Sequence, residues 1–223
     1  MRLTKFTMNQ PETFKTSIER FNDFASEYAA RHMDISSYKS SIDKFCDIIK
    51  NNQPYILELA CGPGNVTRYI KDRFVNSNYI AIDLAPNMID IAKKRTKGVE
   101  FRIMDVRDIS TINTEFDAIM CSFCLPFLSK SDTNKLIADC ANKLNQNGAI
   151  YISTMEGDES MAGFESTGFS GDNKVYFNYH KQIDLENALE NNGFSIIQMK
   201  RQDYIESDGS ITIDMILIGQ KRK

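Results

Sequence analysis

Between residues 54 and 155 short apolar runs alternate with segments of helical periodicity, and few folds accommodate that pattern. The runs fall at 55–60, 79–83, 99–105, 116–121 and 149–154, and the helical segments at 65–74, 86–97 and 132–144. The connection 106–115 is too short and polar for a convincing helix. Strands that are apolar almost throughout are buried on both faces, as in a parallel sheet with helices above and below. The expected class is therefore α/β, with a doubly wound sheet.

The flanks extend this core without suggesting a second domain. Phe14, Ile18, Phe21, Ala25 and Tyr28 recur at spacings of three and four, the face of one helix. Ile35, Tyr38, Ile42, Phe45 and Ile49 mark a second, with Asp34 or Ser36 as its cap. The stretch 156–173 is rich in Gly, Ser and acidic residues, with Phe164 and Phe169 among them. A loop of that length in a compact chain is usually functional or disordered. A short strand at 175–177 and a helix at 184–191, ending on Asn192-Gly193, come next. Two longer runs, 194–204 and 211–219, are close enough for a hairpin, so the last strand should run antiparallel to its neighbour. The 223 residues suit one domain. Its expected parts are a helical cap (1–53), a core (54–155), a loop (156–180), and a C-terminal helix and hairpin (181–223).

Charge and cysteine usage narrow the partners. The net charge is −3 and Lys221-Arg222-Lys223 is only a short basic run, so no basic face for nucleic acid is expected. No run approaches the ~20 apolar residues of a bilayer span, and residues 1–10 lack the apolar core of an export signal. Five scattered cysteines do not make a secreted disulfide framework. A cytoplasmic monomer or homodimer without a membrane partner is expected.

Chemistry-bearing residues gather where the strands end. Residues 55–65 read as a buried strand, a tight glycine turn and a helix start. Gly62 and Gly64 would let a ligand lie against the backbone with no Cβ in the way. In open parallel sheets ligands bind beyond the carboxyl ends of the strands, at the switch point. Asp83 ends the second run and Asp105 the third. The first is placed to accept from ribose hydroxyls; the second would take an adenine amine, with the Val106 amide serving a ring nitrogen. Singly, each acid reads as a solvated strand end or a cap, and the glycines as an ordinary turn. Jointly they point to a nucleoside site. A dinucleotide wants Gly-x-Gly-x-x-Gly, but Thr67 holds the third position. Glu58, just before the turn, opposes a pyrophosphate and suits an ammonium group.

These residues resemble the class I S-adenosylmethionine-dependent methyltransferases, particularly the small-molecule type. Glu58, Ala60, Gly62 and Gly64 match the first motif, with alanine where the strict pattern has glycine. Asp83 to Met88 match the second, with Ala85 in its serine position, and Met104-Asp105-Val106 the third. Residues 116–123 resemble the fourth strand, and the likeness covers 21–219. It implies a seven-stranded, mostly parallel sheet of order 3-2-1-4-5-7-6, its last strand antiparallel, under an N-terminal helical cap. It also implies S-adenosylmethionine as methyl donor, S-adenosylhomocysteine as product, and a small-molecule acceptor. On this resemblance Glu58 would hold the cofactor's amino group, Asp83 its ribose, and Leu84 and Met88 the adenine faces. Asp105 and Val106 would read the adenine edge, and Ala60, Cys61, Gly62 and Gly64 would form the turn. Cys121, Ser122 and Phe123 would line the floor. Tyr28 would be a lid residue or simply core, and Arg31 would reach the carboxylate.

Methyl transfer is an in-line displacement from a sulfonium that depends chiefly on alignment, so no enzyme nucleophile is expected. An oxygen or protonated nitrogen acceptor calls for a base. His180, just after the long loop, is the first candidate, ahead of His32, with an ordinary packing role as the alternative. Tyr176 and Tyr179 would bind the acceptor or pack. Cys121 and Cys124 lack a second ligand pair for zinc and end a strand rather than opening a helix, so no metal is expected. Leu125-Pro126-Phe127 stands where the subgroup methylating planar amino groups has Asn/Asp-Pro-Pro-Tyr, which argues against that subgroup. The alternatives are a nicotinamide-dependent oxidoreductase and an S-adenosylmethionine-binding protein without catalysis.

Overall fold

The computed structural model describes residues 12–205 and 209–223. The stretch 1–10, read above for an export signal, and Glu206, Ser207 and Asp208 of the hairpin connection lie outside the described residues. Helices α1 (Glu12–Asp23), α2 (Ala25–His32) and α3 (Lys39–Ile48) come first. The alternating series follows as β1 (Tyr55–Leu59), α4 (Asn65–Arg73), β2 (Asn78–Asp83), α5 (Pro86–Arg95), β3 (Glu100–Ile103), β4 (Phe116–Ser122), α6 (Lys130–Lys143) and β5 (Leu144–Met155). A small hairpin of β6 (Gly163–Ser166) and β7 (Lys174–Phe177) leads to α7 (Gln182–Asn191), β8 (Phe194–Ile205) and β9 (Ile211–Lys221).

The main sheet has the order β3-β2-β1-β4-β5-β9-β8. Strands β1 to β5 pair in parallel, and β9 is antiparallel to both β5 and β8. Counted among this sheet's own strands, that is the expected 3-2-1-4-5-7-6. Successive side chains on a strand point to opposite faces, and here both faces are covered. Leu57, Leu59, Ile119, Ile150 and Leu217 meet α6 and α7 on one side. Ile56, Ala81, Met120, Tyr151 and Ile218 meet α3 and α4 on the other. The apolar runs are continuous because neither face is wet.

Two expectations are refined. The first predicted helix is two, α1 and α2, interrupted at Phe24. The third helix, α3, buries Ile42, Phe45 and Cys46 against the sheet. The stretch 156–173 holds a 3₁₀ turn at Glu159–Met161 and strand β6, which pairs with β7. Among the described residues, no helix is long and apolar enough to cross a membrane, and no cluster of His, Cys, Asp and Glu could hold a metal.

Candidate functional site

Strand order reverses between β1 and β4, and a cavity of about 450 Å³ lies at the carboxyl ends of these strands. One half of its wall comes from the residues just past β1, β2 and β3.

The chain turns immediately after Leu59. Ala60 (φ 51°), Gly62 (φ 54°) and Gly64 (φ 83°) are all left-handed, so the alternating small residues answer a backbone requirement. For Ala60 that conformation costs roughly 1–2 kcal/mol. The two glycines have different tasks. Gly62 lines the cavity, and a Cβ there would meet nothing within 4 Å. A Cβ on Gly64 would sit 3.1 Å from the Ala92 Cβ, so Gly64 lets α4 approach α5 and does not line the cavity. Asp83 does line it. Its Oδ2 accepts from the Gly62 amide at 2.9 Å and its Oδ1 from the Ala85 amide at 2.8 Å. Burial raises its pKa, and those amides pull the other way. Leu84, Met88, Met104 and Val106 complete this half.

Several expected contacts are corrected here. Glu58 is buried beneath the turn, on the same face as Ile56, and its Oε2 accepts from the Tyr79 hydroxyl at 2.9 Å. Burial pushes its pKa up to about 7. It does not line the cavity, so direct contact with a bound ammonium group is not what this arrangement offers. Cys61 is buried in the α4 face of the core, and Cys121 in the opposite face. Asp105 is turned aside: it accepts from the Arg107 amide at 2.9 Å and from its guanidinium at 2.5 Å. That guanidinium in turn lies 4.1 Å from the Phe14 ring centroid, anchoring α1. Burial and hydrogen bonding cap the 3₁₀ turn with Asp105 rather than opening it to the cavity.

The second half is built by side chains. Ser122 and Phe123 form the floor beyond β4, and Phe123 (φ 52°) is fixed by hydrogen bonds from its amide to the carbonyl and Oγ of Ser153. Cys124 lines the cavity beside them; its thiol pKa is raised by Cys121 and by burial, the reverse of a redox-active pair. Tyr28, Arg31 and His32 roof the cavity from α2. Phe169 closes it, its ring 5.1 Å from both Phe21 and Tyr28. Burial and the nearby Asp83 push the Tyr28 pKa up to about 12. Arg31 lies along the 168 backbone, where a Cβ on Gly168 would come within 3.0 Å of its guanidinium.

The acceptor-side candidates also change. His180 is buried and outside the cavity wall. Its Nε2 is 2.8 Å from the Leu125 carbonyl, which can only accept, so Nε2 carries the proton. Its backbone is tied to Met155 and Gly157. It joins two segments, and burial lowers its pKa. Tyr179 donates to Glu165 at 2.7 Å, and it is Glu165 that lines the cavity. On β7, Phe177 faces the cavity, while Tyr176 faces a smaller one beside Phe14 and Arg107. The histidine on the cavity wall is His32, its pKa lowered by burial and by Arg31.

Tyr38, Phe127, Glu165, Tyr204 and Asp214, for which the sequence pattern implies no site role, also line the cavity. Asp214 did leave a signal, a lone acid inside the apolar run 211–219. It stands near the start of that run, not the end, and only an antiparallel strand brings its start to this edge.

Residues 56–148 match the family described as a methyltransferase domain. The chain is similar to the demethylmenaquinone methyltransferase of Thermotoga maritima, 30% identical over 105 residues, 47% of this chain and 45% of that protein. It is also similar to the malonyl-[acyl-carrier protein] O-methyltransferase of a Paenibacillus species, 29% identical over 161 residues, 66% of this chain and 56% of that one. The chain thus spans about half the length of these curated relatives. Among solved structures, the magnesium protoporphyrin IX methyltransferase of Synechocystis PCC 6803 with bound SAM matches at a TM-score of 0.67 and 13% identity, covering 96% of this chain and 100% of that one. At that identity the likeness is one of fold.

Proposed function

We propose that this chain, a class I S-adenosylmethionine-dependent methyltransferase by its fold and by its match to the methyltransferase domain family, transfers a methyl group from S-adenosylmethionine to a small organic acceptor. One observation carries this: Gly62 leaves open space where a Cβ would stand, directly beside the Asp83 carboxylate, at the switch point of the sheet. That cradle fits a nucleoside. Asp83 would hold the ribose, Leu84 and Met88 the adenine faces, and Val106 its edge. Ser122 and Phe123 would lie below the methionine part, under Tyr28 and Arg31. When bound, the cofactor supplies a methyl group on a sulfonium. The chain's own residues align it and exclude water, with the Phe21, Tyr28 and Phe169 rings forming a poorly hydrated roof that suits a cation. Glu58 then acts through the turn it supports. In this assignment 54–155 hold the cofactor and 156–180 border the acceptor.

Thermal unfolding with S-adenosylmethionine, S-adenosylhomocysteine and NAD in parallel tests this. A ligand at ~100 times its dissociation constant adds ~2.7 kcal/mol, which is roughly 5–10 °C for a chain of this size. Both adenosyl ligands should produce that shift, and Asp83→Ala should abolish it while circular dichroism stays native. A shift with NAD alone would overturn the proposal.

A further inference from the structure

Tyr38 and Asp214, from the segment before α3 and from β9, line the cavity and have no part in the cofactor assignment above. Strand β9 is antiparallel to β5, so its first residues arrive at the edge where the parallel strands finish. Asp214 is there, opposite Met155, only 3% exposed, and it accepts a hydrogen bond from the Tyr38 hydroxyl at 2.5 Å. The Tyr38 ring meets Phe123 edge to face, with centroids 5.3 Å apart. The pair therefore reaches from the outer strand to the floor beyond β4, and both members line the cavity.

A tyrosine hydroxyl has one proton. That of Tyr38 is committed to Asp214, so towards the cavity the oxygen offers lone pairs, and these fit a donor. The charges favour one kind of donor. Asp34, Asp83, Glu165, Asp203 and Asp214 line the cavity, Asp203 beside Asp214 in the β8–β9 pairing, whereas Arg31 is the one arginine or lysine on the cavity wall among the described residues. Elsewhere on the same wall the Phe127, Phe177 and Tyr204 rings offer faces that suit a cation and an apolar body.

We propose that Tyr38 and Asp214 form the acceptor end of the site and that the acceptor is an amine on an apolar body, not a carboxylic acid. This rests on the methyltransferase function proposed above. An ammonium donates N–H to Tyr38; its proton passes to the Tyr38 Oη as the tyrosine's own proton passes to Asp214. The freed nitrogen lone pair forms the N–C bond while the C–S bond breaks and its electrons stay on sulfur. Positive charge moves from sulfur to nitrogen without leaving the acidic, aromatic enclosure. Tyr38 touches the acceptor and is catalytic, while Asp214 acts through it as a positioning residue. A carboxylate acceptor would bring no proton and would face acids at this end.

The test uses matched probes in which phenyl and naphthyl bodies carry an ethylamine, an ethanol or a propanoate head. Each is titrated calorimetrically into the full chain saturated with S-adenosylhomocysteine, then assayed for methylation with S-adenosylmethionine. The amines should bind about tenfold more tightly than the alcohols, the difference expected of one charge-assisted hydrogen bond, and they alone should be methylated. Tyr38→Phe should weaken amine binding about tenfold with S-adenosylhomocysteine affinity unchanged. Asp214→Asn should lower kcat while KM rises less than about threefold. Preference for alcohol or carboxylate, unaltered amine affinity in Tyr38→Phe, or no binding of any probe while S-adenosylhomocysteine still binds would overturn the inference. Failure of S-adenosylhomocysteine to bind would instead remove the methyltransferase function itself.

Discussion

The two halves of the cavity are made differently. Past β1, β2 and β3 the wall is largely backbone geometry: left-handed residues at 60 and 62, and an aspartate whose oxygens are held by amides at 62 and 85. Opposite, the wall is a meeting of side chains that are remote in sequence. Tyr38 and Asp214 are 176 residues apart, and Phe169 closes on Phe21 and Tyr28 from another segment. A short motif can set backbone dihedrals by itself. Side chains from separate segments meet only when the whole chain has folded. The first half is accordingly compact in sequence and the second scattered.

That contrast can be broken at the glycine turn, where the largest effect is expected. Gly62→Val puts a side chain into the cavity at a left-handed position, so the S-adenosylhomocysteine shift should vanish while the fold loses only about 1–2 kcal/mol. Gly64→Ala should do the reverse. Its methyl would press on Ala92, costing about 1–3 kcal/mol of stability with ligand binding retained. Urea unfolding with and without ligand separates the two outcomes, and equal loss of binding in both variants would erase the distinction between these glycines.

Glu58 provides the next test, since it is buried just before the turn, hydrogen-bonded by Tyr79, without facing the cavity. Its folded pKa is about 7 against an ordinary 4.5. Between those values the folded chain binds more protons than the unfolded one, so this contribution is full below pH 4.5 and is lost as pH rises through 7. The loss amounts to about 3 kcal/mol. Glu58→Gln should flatten the stability profile from pH 5 to 8; a slope that persists would place the titration elsewhere.

The smallest effect is expected on the scattered side. Phe169→Ala should cost ~2 kcal/mol, below the 3–5 kcal/mol of a fully enclosed ring. Amide exchange should quicken in 163–177 and not in 55–122. Uniform quickening would mean that the two halves do not open independently.

The sheet order and the line of residues from Gly62 to Asp83 and Val106 could be read before folding, because the period of the apolar runs and the strand-end acids are local signals. Asp105 and Glu58 carry a similar local signal, a carboxylate at or near a strand end, but Arg107 and Tyr79, which no local pattern reveals, already occupy them. His180 stands just after the long loop, yet the fold turns its ring to a backbone carbonyl. Tyr38 falls on a helical apolar stripe in the sequence, and its hydroxyl finds its partner only across the molecule.

Sequence alone therefore determined the layered α/β architecture, the glycine turn and Asp83. Hydrophobic period and left-handed backbone are properties of neighbouring residues. Tertiary structure alone decided which acids besides Asp83 face the cavity, which glycine leaves space for a ligand, and how Tyr38 and Asp214 meet. Those outcomes depend on strand direction and on partners brought from other segments, which no local pattern records.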